Sequence, residues 1–157
     1  MRTLVFAVAA LGCLMISCSS EPKREVPETV TRAPAPKPAD ETRRFPKANL
    51  VNTTVIDTEL MGKSFMPGGT LATYRKGKTE YTMFIAKLPS ATDAAILLSD
   101  WRKALTDAKL VPSFGGYFGQ DGSEPLFVFT KGAWVAGIRG LPQAEADLQA
   151  RTLAGQL

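Results

Sequence analysis

The sequence contains no histidine, and this absence excludes several kinds of chemistry at once. Among its 157 residues there is no imidazole to serve as a general base at neutral pH, to complete a Ser-His-Asp or Cys-His set, or to bind a transition metal. Cysteine is nearly as scarce, because the only two, Cys13 and Cys18, lie in the first eighteen residues. The rest of the chain therefore lacks disulfides, thiol nucleophiles and thiolate ligands. We accordingly expect no catalytic residue of these classes, no metal and no cofactor.

An excess of charge of one sign is also lacking in most of the chain. The formal net charge is +4, yet residues 48–157 hold eleven basic and ten acidic side chains. Binding to nucleic acid requires Lys and Arg clustered on one face or along one stripe. The sequence therefore predicts no nucleic-acid partner.

The N-terminal segment has the composition of a signal peptide. Met1 and Arg2 supply a positive charge, and residues 3–16 are almost wholly apolar or small. Such a stretch is too short to cross a bilayer comfortably as a permanent helix. We predict that residues 1–17 are a cleaved signal peptide.

The end of that segment resembles the lipobox of bacterial lipoproteins. The residues before Cys18 read Leu-Met-Ile-Ser, with small Ser17 next to the cysteine and Met15 where the family usually has Leu. The resemblance implies cleavage before Cys18 and acylation of its thiol, so that the lipid bilayer is a partner. Ser19 after the cysteine implies, in a double-membrane bacterium, the outer membrane facing the periplasm. The alternatives are a competing box ending at Cys13, an ordinary signal followed by a chance cysteine, and an uncleaved anchor.

A proline-rich stretch follows the cysteine. Residues 18–47 contain six prolines among charged and small polar residues, and large apolar side chains almost vanish. This composition is typical of an extended, solvated spacer. We predict a lipidated and disordered tether over 18–47 and a single folded domain over 48–157.

The domain sequence reads as strands followed by helices. Predicted strands cover 51–58, 70–75, 80–87, 126–130 and 134–138, and a turn is predicted over 66–69. A helix capped by Ser90 and ending before Pro112 has an apolar stripe made of Ala94, Leu97, Leu98, Trp101, Leu105 and Ala108. A last helix opens at Pro142, and its apolar residues are Ala144, Leu148, Ala150 and Leu153.

The two halves of this domain look like copies. Leu-Pro-x-Ala occurs at residues 88–91 and again at 141–144, an offset of 53 residues that also relates Ile85 to Ile138 and Tyr81 to Trp134. Matching strand pairs and helices at one offset indicates duplication of a ββα unit. We expect an α+β fold, in which one antiparallel sheet from two ββα halves carries both helices on one face.

Residues 129–134, Phe-Thr-Lys-Gly-Ala-Trp, resemble a strand pair found in uncharacterised bacterial envelope proteins. There an F-x-K-G-x-aromatic motif precedes a last helix, and the likeness covers residues 69–157. The resemblance supports the fold and carries no activity.

The most distinctive local sequence is the aromatic and glycine-rich segment 114–122. Tyr117, Phe118 and Asp121, set among glycines, are candidates for a ligand surface that binds a sugar or peptide. The alternative is a bent strand leading into an Asp-Gly turn, with its aromatic side chains in the core.

These observations favour a non-enzymatic, membrane-tethered module that binds or scaffolds another envelope protein or peptidoglycan. The alternative is an envelope enzyme that acts on glycan with carboxylates alone, for which the candidate acids are Asp57, Glu59, Asp121 and Glu124. A third reading is an assembly subunit without a ligand of its own.

Overall fold

Seven strands and two α-helices make up the part of the chain that the structure, a computed structural model, describes, residues 37–157. The strands are β1 (Leu50–Thr58), β2 (Pro67–Lys76), β3 (Thr79–Lys87), β4 (Thr106–Val111), β5 (Gly116–Asp121), β6 (Glu124–Lys131) and β7 (Trp134–Arg139). The helices are α1 (Ala91–Ala104) and α2 (Gln143–Ala154). Neighbouring strands are antiparallel, in the order β1-β2-β3-β7-β6-β5-β4. The predicted α+β class and antiparallel sheet are confirmed.

Most of the predictions for the N-terminus concern residues before Lys37, which the structure does not describe. The signal peptide over 1–17, Cys18 and the tether as far as residue 36 lie outside the described residues. Within residues 37–157, no helix is long and apolar enough to cross a membrane.

The two helices pack on opposite faces of the sheet, so the prediction of both helices on one face is wrong. In β3, Met83 and Ile85 belong to the core that α2 covers, whereas Phe84 and Ala86 belong to the core that α1 covers. All four side chains are at most 1% exposed. A strand that is apolar at consecutive positions, rather than at alternate ones, needs cover on both faces.

A different segment completes each core. On the α1 face, Leu60 and Met66 from the β1–β2 loop pack beside the helix, and the Trp101 indole N–H donates to the Met66 sulfur at 3.1 Å. On the α2 face, Phe45 packs into the core at 2% exposure. The Tyr74 hydroxyl also donates to the Pro46 carbonyl at 2.9 Å. The predicted domain boundary at Lys47 is therefore wrong, because the residues just before it are part of the fold.

The order of the strands is compatible with the predicted repeat, and the positions of the helices are not. Phe84 pairs with Gly137 across β3 and β7, and these residues are separated by the repeat offset of 53. A two-fold axis normal to the sheet at this pair would relate the β2–β3 hairpin to the β6–β7 hairpin. The same axis would place both helices on one face, which the structure does not do.

Two predicted boundaries also differ from the structure. The first helix does not run on to Ala108 but ends at Ala104, because Leu105 is extended and β4 begins to pair with β5 at Thr106. Asp107 follows with a left-handed φ of 53°, within the register shift of that pairing. Residues 66–69 are not a turn, since β2 begins at Pro67.

The apolar stripe of α2 is also shifted from its predicted position. Leu148 is 63% exposed and Ala144 is exposed, while Ala146 is buried beside Ala150 and Leu153. Small alanines let α2 approach the sheet closely, so the larger Leu148 does not mark the buried face.

Candidate functional site

The predicted ligand surface on β5 is divided between the two faces of the sheet. Tyr117 packs at the edge of the α1-face core, whereas its neighbour Phe118 packs at the edge of the α2-face core. Successive residues of a strand point to opposite faces. The structure thus does not bring Tyr117, Phe118 and Asp121 to one surface, and the bent-strand alternative describes this segment better.

The Asp121 carboxylate lies next to two basic side chains. Its side chain is 9% exposed, and one carboxylate oxygen lies 2.6 Å from the Lys63 ammonium. The Arg139 Nε lies 3.9 Å from the other oxygen and 2.7 Å from a Glu124 carboxylate oxygen. Because Lys63 belongs to the β1–β2 loop, this ion pair fastens that loop to the β5–β6 hairpin. Asp121 and Glu124, two of the four candidate acids, are therefore held in a charge network.

Asp57 and Glu59, the other two acids, lie close together in the chain at the end of β1. Both line a cavity of about 360 Å³ that also contacts Ser64 and Lys87. Asp57 forms an exposed ion pair with Lys37 at 3.6 Å. Glu59 takes a left-handed φ of 54° just beyond the strand, which turns the chain toward the loop.

A second concavity adjoins this cavity on the α2 side, and we call it the Trp134 groove. It has a volume of about 300 Å³, and its wall is formed by Gly68, Gly69, Thr70, Ile85, Lys87 and Trp134. Lys37 and Glu41 also line it. The groove and the neighbouring acidic cavity share Gly68 and Lys87.

Cations surround the ring of Trp134. The Arg44 guanidinium lies 4.7 Å and the Lys87 ammonium 5.6 Å from the ring centroid. Such contacts are cation–π interactions. Arg44 also donates to Glu41 at 2.9 Å, so the one carboxylate of the groove wall is engaged by a neighbouring cation. The Lys87 head group stays exposed at the groove.

The two glycines of the groove wall are explained by strand packing. A Cβ at Gly68 would press on the Asp57 carbonyl of β1, and a Cβ at Gly69 would press on the Ile85 carbonyl of β3. Glycine is required here by the close approach of backbones. Neither residue by itself points to a ligand.

Two stacked tyrosines lie on the same face, away from the groove. Tyr74 and Tyr81 have ring centroids 5.0 Å apart and nearly parallel planes. Burial raises the pKa of Tyr74, and the neighbouring Tyr81 raises it further. Burial and the nearby Glu145 also raise the pKa of Tyr81. Both hydroxyls therefore remain neutral well into the alkaline range.

The described part of the chain contains no cluster of side chains suited to bind a metal ion. Residues 37–157 contain no group of three or more acidic side chains that could hold a metal ion. Comparison of the chain with protein-family profiles and with curated protein sequences found no match.

The groove residues were not among those that sequence reasoning selected. Lys87 and Trp134 face each other in the β3–β7 pairing. Their strands were predicted, but the contact between them depends on the sheet order. The repeat was the available signal, because it relates Trp134 to the buried Tyr81 and so marks an aromatic position on the α2 face.

Proposed function

We propose that this chain is a lipid-anchored lipoprotein of the bacterial envelope whose domain binds another envelope component without catalysing a reaction. The anchor part of the proposal rests on the lipobox resemblance at Cys18. The expected location is the outer membrane, facing the periplasm. The binding part rests on the Trp134 groove.

The observation that carries the binding proposal is the chemistry of the groove wall. An aromatic ring and the exposed Lys87 ammonium face the groove, while Glu41 is already paired with Arg44. A wall of this kind offers the Lys87 cation, which suits a carboxylate-bearing peptide or glycan. Trp134 is only 7% exposed and its ring is covered by the Arg44 guanidinium, so it shapes the wall and leaves little of its ring for stacking. The wall offers no free carboxylic acid for proton transfer. The groove is therefore suited to binding a protein segment or cell-wall glycan.

One observation favours the enzymatic alternative. Asp57 and Glu59 both line the adjacent cavity, and glycan hydrolysis by carboxylates requires two acids on either side of the scissile bond. The alternative therefore places the chemistry in that cavity and not at Asp121 or Glu124.

Matched variants separate the two functions. Lys87→Glu reverses the charge at the groove, and an Asp57→Asn, Glu59→Gln double variant removes both acids of the cavity. Lys109→Glu on β4 is the charge-reversal control. We expect crosslinking pull-down of the intact lipoprotein to recover its envelope component from the double variant and from Lys109→Glu, and to lose it with Lys87→Glu.

A glycan-cleavage assay on the same proteins gives the opposite pattern if the chain is an enzyme. Cleavage of peptidoglycan by the purified protein, abolished in the double variant and kept in Lys87→Glu, would overturn the binding proposal.

A further inference from the structure

The two edges of the sheet are built differently. The edge strand β4 is six residues long, carries a register shift between Thr106 and Lys109, and has Asp107 in the left-handed region. Such irregularities keep other strands from adding to an edge. The opposite edge strand, β1, is nine residues long; it has one register shift near its start, between Leu50 and Asn52, and then pairs with β2 in one unbroken register from Asn52 to Thr58. Within residues 37–157, no strand pairs with the outer side of β1.

The composition of β1 also suits strand addition. Residues 51–56 read Val-Asn-Thr-Thr-Val-Ile and contain no charge and no proline. Edge strands that stay unpaired commonly carry Lys or Pro. In β1, Val51 is 56% and Val55 is 36% exposed. An uncharged stretch of edge strand with exposed β-branched side chains is a template for another strand.

The order of these side chains indicates which strand fits. About Thr53, the residue types repeat in mirror order, with Val51 matching Val55 and Asn52 matching Thr54. When two identical strands pair antiparallel about a two-fold axis, each residue faces its mirror position. With the axis at Thr53, Asn52 faces Thr54 within the regular part of β1, and Val51, at the register shift, comes opposite Val55. We propose that a second copy of this chain pairs with β1 in this register and extends the sheet across both copies.

Hydrogen bonding next to the strand agrees with this register. The Glu59 N–H donates to the Met66 carbonyl across the β1–β2 pair. Main-chain groups of an antiparallel strand alternate in direction. Thr53 and Val55 thus direct their main chain toward β2, while Asn52 and Thr54 direct theirs outward. The two copies of Thr53 then form a non-hydrogen-bonded pair, with Cα atoms about 4.5 Å apart.

The geometry of such a dimer is compatible with two anchored chains. A two-fold axis between antiparallel strands of one sheet is normal to that sheet, so both copies present the same face on the same side. The N-terminal part of the described chain lies on the α2 face, where the Thr42 hydroxyl bonds to the Thr53 hydroxyl at 3.0 Å. Both tethers would leave from one side. This last point rests on the proposed anchor, whereas the pairing itself does not.

A cysteine at the two-fold axis tests the pairing directly. We expect Thr53→Cys, in the full chain in membranes, to form a disulfide-linked dimer on mild oxidation, because the Cα separation is suitable for a disulfide. Leu110→Cys, on the other edge strand and 56% exposed, is the control and should stay monomeric. No dimer from Thr53→Cys, or an equal yield from Leu110→Cys, would overturn the proposal.

The same experiment in a Cys18→Ala background separates the pairing from the anchor. Dimers from Thr53→Cys in both backgrounds support the pairing whether or not the chain is lipidated. Dimers confined to the anchored chain also support it, since they remain specific to β1.

A second variant guards against misfolding of the cysteine protein. Val55→Lys changes an exposed side chain and removes two valine pairs per dimer, so we expect about tenfold weaker self-association of the detergent-solubilised full chain by sedimentation. Leu110→Lys should leave association unchanged, and thermal unfolding should show both variants folded. A monomer for the unaltered chain, or capture of β1 by the chain's own tether or by a different protein, would contradict the second copy as occupant.

Discussion

At the scale of single residues, the described domain is organised by a few polar groups that fasten loops to the sheet. The Lys63–Asp121 pair is the most buried of its ion pairs within residues 37–157, with side chains 26% and 9% exposed. It joins the β1–β2 loop, which supplies Leu60 and Met66 to the α1-face core, to a hairpin at the far side of the sheet. Asp121 is thus explained by structure, although its sequence context suggested a ligand site.

Removing this carboxylate should destabilise the domain measurably. Asp121→Ala leaves the Lys63 ammonium without its partner in a half-buried place, so we expect a loss of about 1–2 kcal/mol in the free energy of unfolding. Asp100→Ala, which breaks the exposed pair with Lys103, is the control and should cost about 0.5 kcal/mol or less. Denaturant unfolding measures the free energy of unfolding of both variants. Equal losses would show that the Lys63–Asp121 pair stabilises the domain no more than an exposed pair does.

The buried tyrosines give the domain an alkaline pH dependence. Because burial raises the pKa of Tyr74 in the folded chain, the folded state keeps a proton that the unfolded chain releases above pH about 10. The stabilisation is therefore fully present below that pH and is lost as the pH rises above it.

A phenylalanine at this position isolates the effect. Tyr74→Phe loses the hydrogen bond to Pro46, which costs about 1 kcal/mol near neutrality, but it has no phenol to ionise. We expect the melting temperatures of the two proteins to converge between pH 9 and about 11. Parallel melting curves over this range would contradict the account.

Among the strands and helices, a glycine that lets two backbones approach closely differs from a glycine that ends a helix. A Cβ at Gly69 would press on the Ile85 carbonyl and lie 2.8 Å from Leu60 Cδ2. We expect Gly69→Ala to cost about 1–3 kcal/mol. Gly155 ends α2 with a right-handed φ of −66°, and a Cβ there would meet nothing closer than 3.4 Å. Gly155→Ala should be neutral or stabilising by up to about 1 kcal/mol, and a loss as large as at Gly69 would refute the distinction.

Local patterns predicted the elements better than their arrangement. Tyr81, Met83 and Ile85 lie on one face of the strand predicted over 80–87, as the alternation of a strand requires. Ser90 caps α1, as predicted, by accepting from the Asp93 N–H at 3.1 Å. These features depend on neighbours in sequence. The strand β4 was missed because Leu105 and Ala108 continue a helical spacing, and only pairing with β5 decides their conformation.

Neighbouring residues in the sequence do not determine which face of the sheet each helix covers, and they do not determine the Trp134 groove. The continuous apolar runs in β3, β6 and β7 were the signal for cover on both faces, but they do not tell which helix takes which face. The Trp134 groove depends on β3 pairing with β7, a contact between distant segments. The residues chosen from sequence, Tyr117 and Phe118, were neighbours in the chain and are separated by the pleat of the strand.

For the whole molecule, we propose that the N-terminal part attaches the protein to the membrane and that the domain binds other molecules. In this proposal Cys18 carries the lipid, the Trp134 groove binds an envelope component, and the β1 edge pairs with a second copy. Several acyl chains on one thiol and its amino group would make attachment effectively permanent, because each buried methylene contributes about 0.8 kcal/mol. The domain would then act only on components within reach of the tether.

Labelling with palmitate tests whether Cys18 carries the lipid anchor. Cells that express the unaltered chain and cells that express Cys13→Ala should both incorporate label into this protein, whereas Cys18→Ala should incorporate none. Label retained by Cys18→Ala, or lost from Cys13→Ala, would show that Cys18 is not the acylated residue.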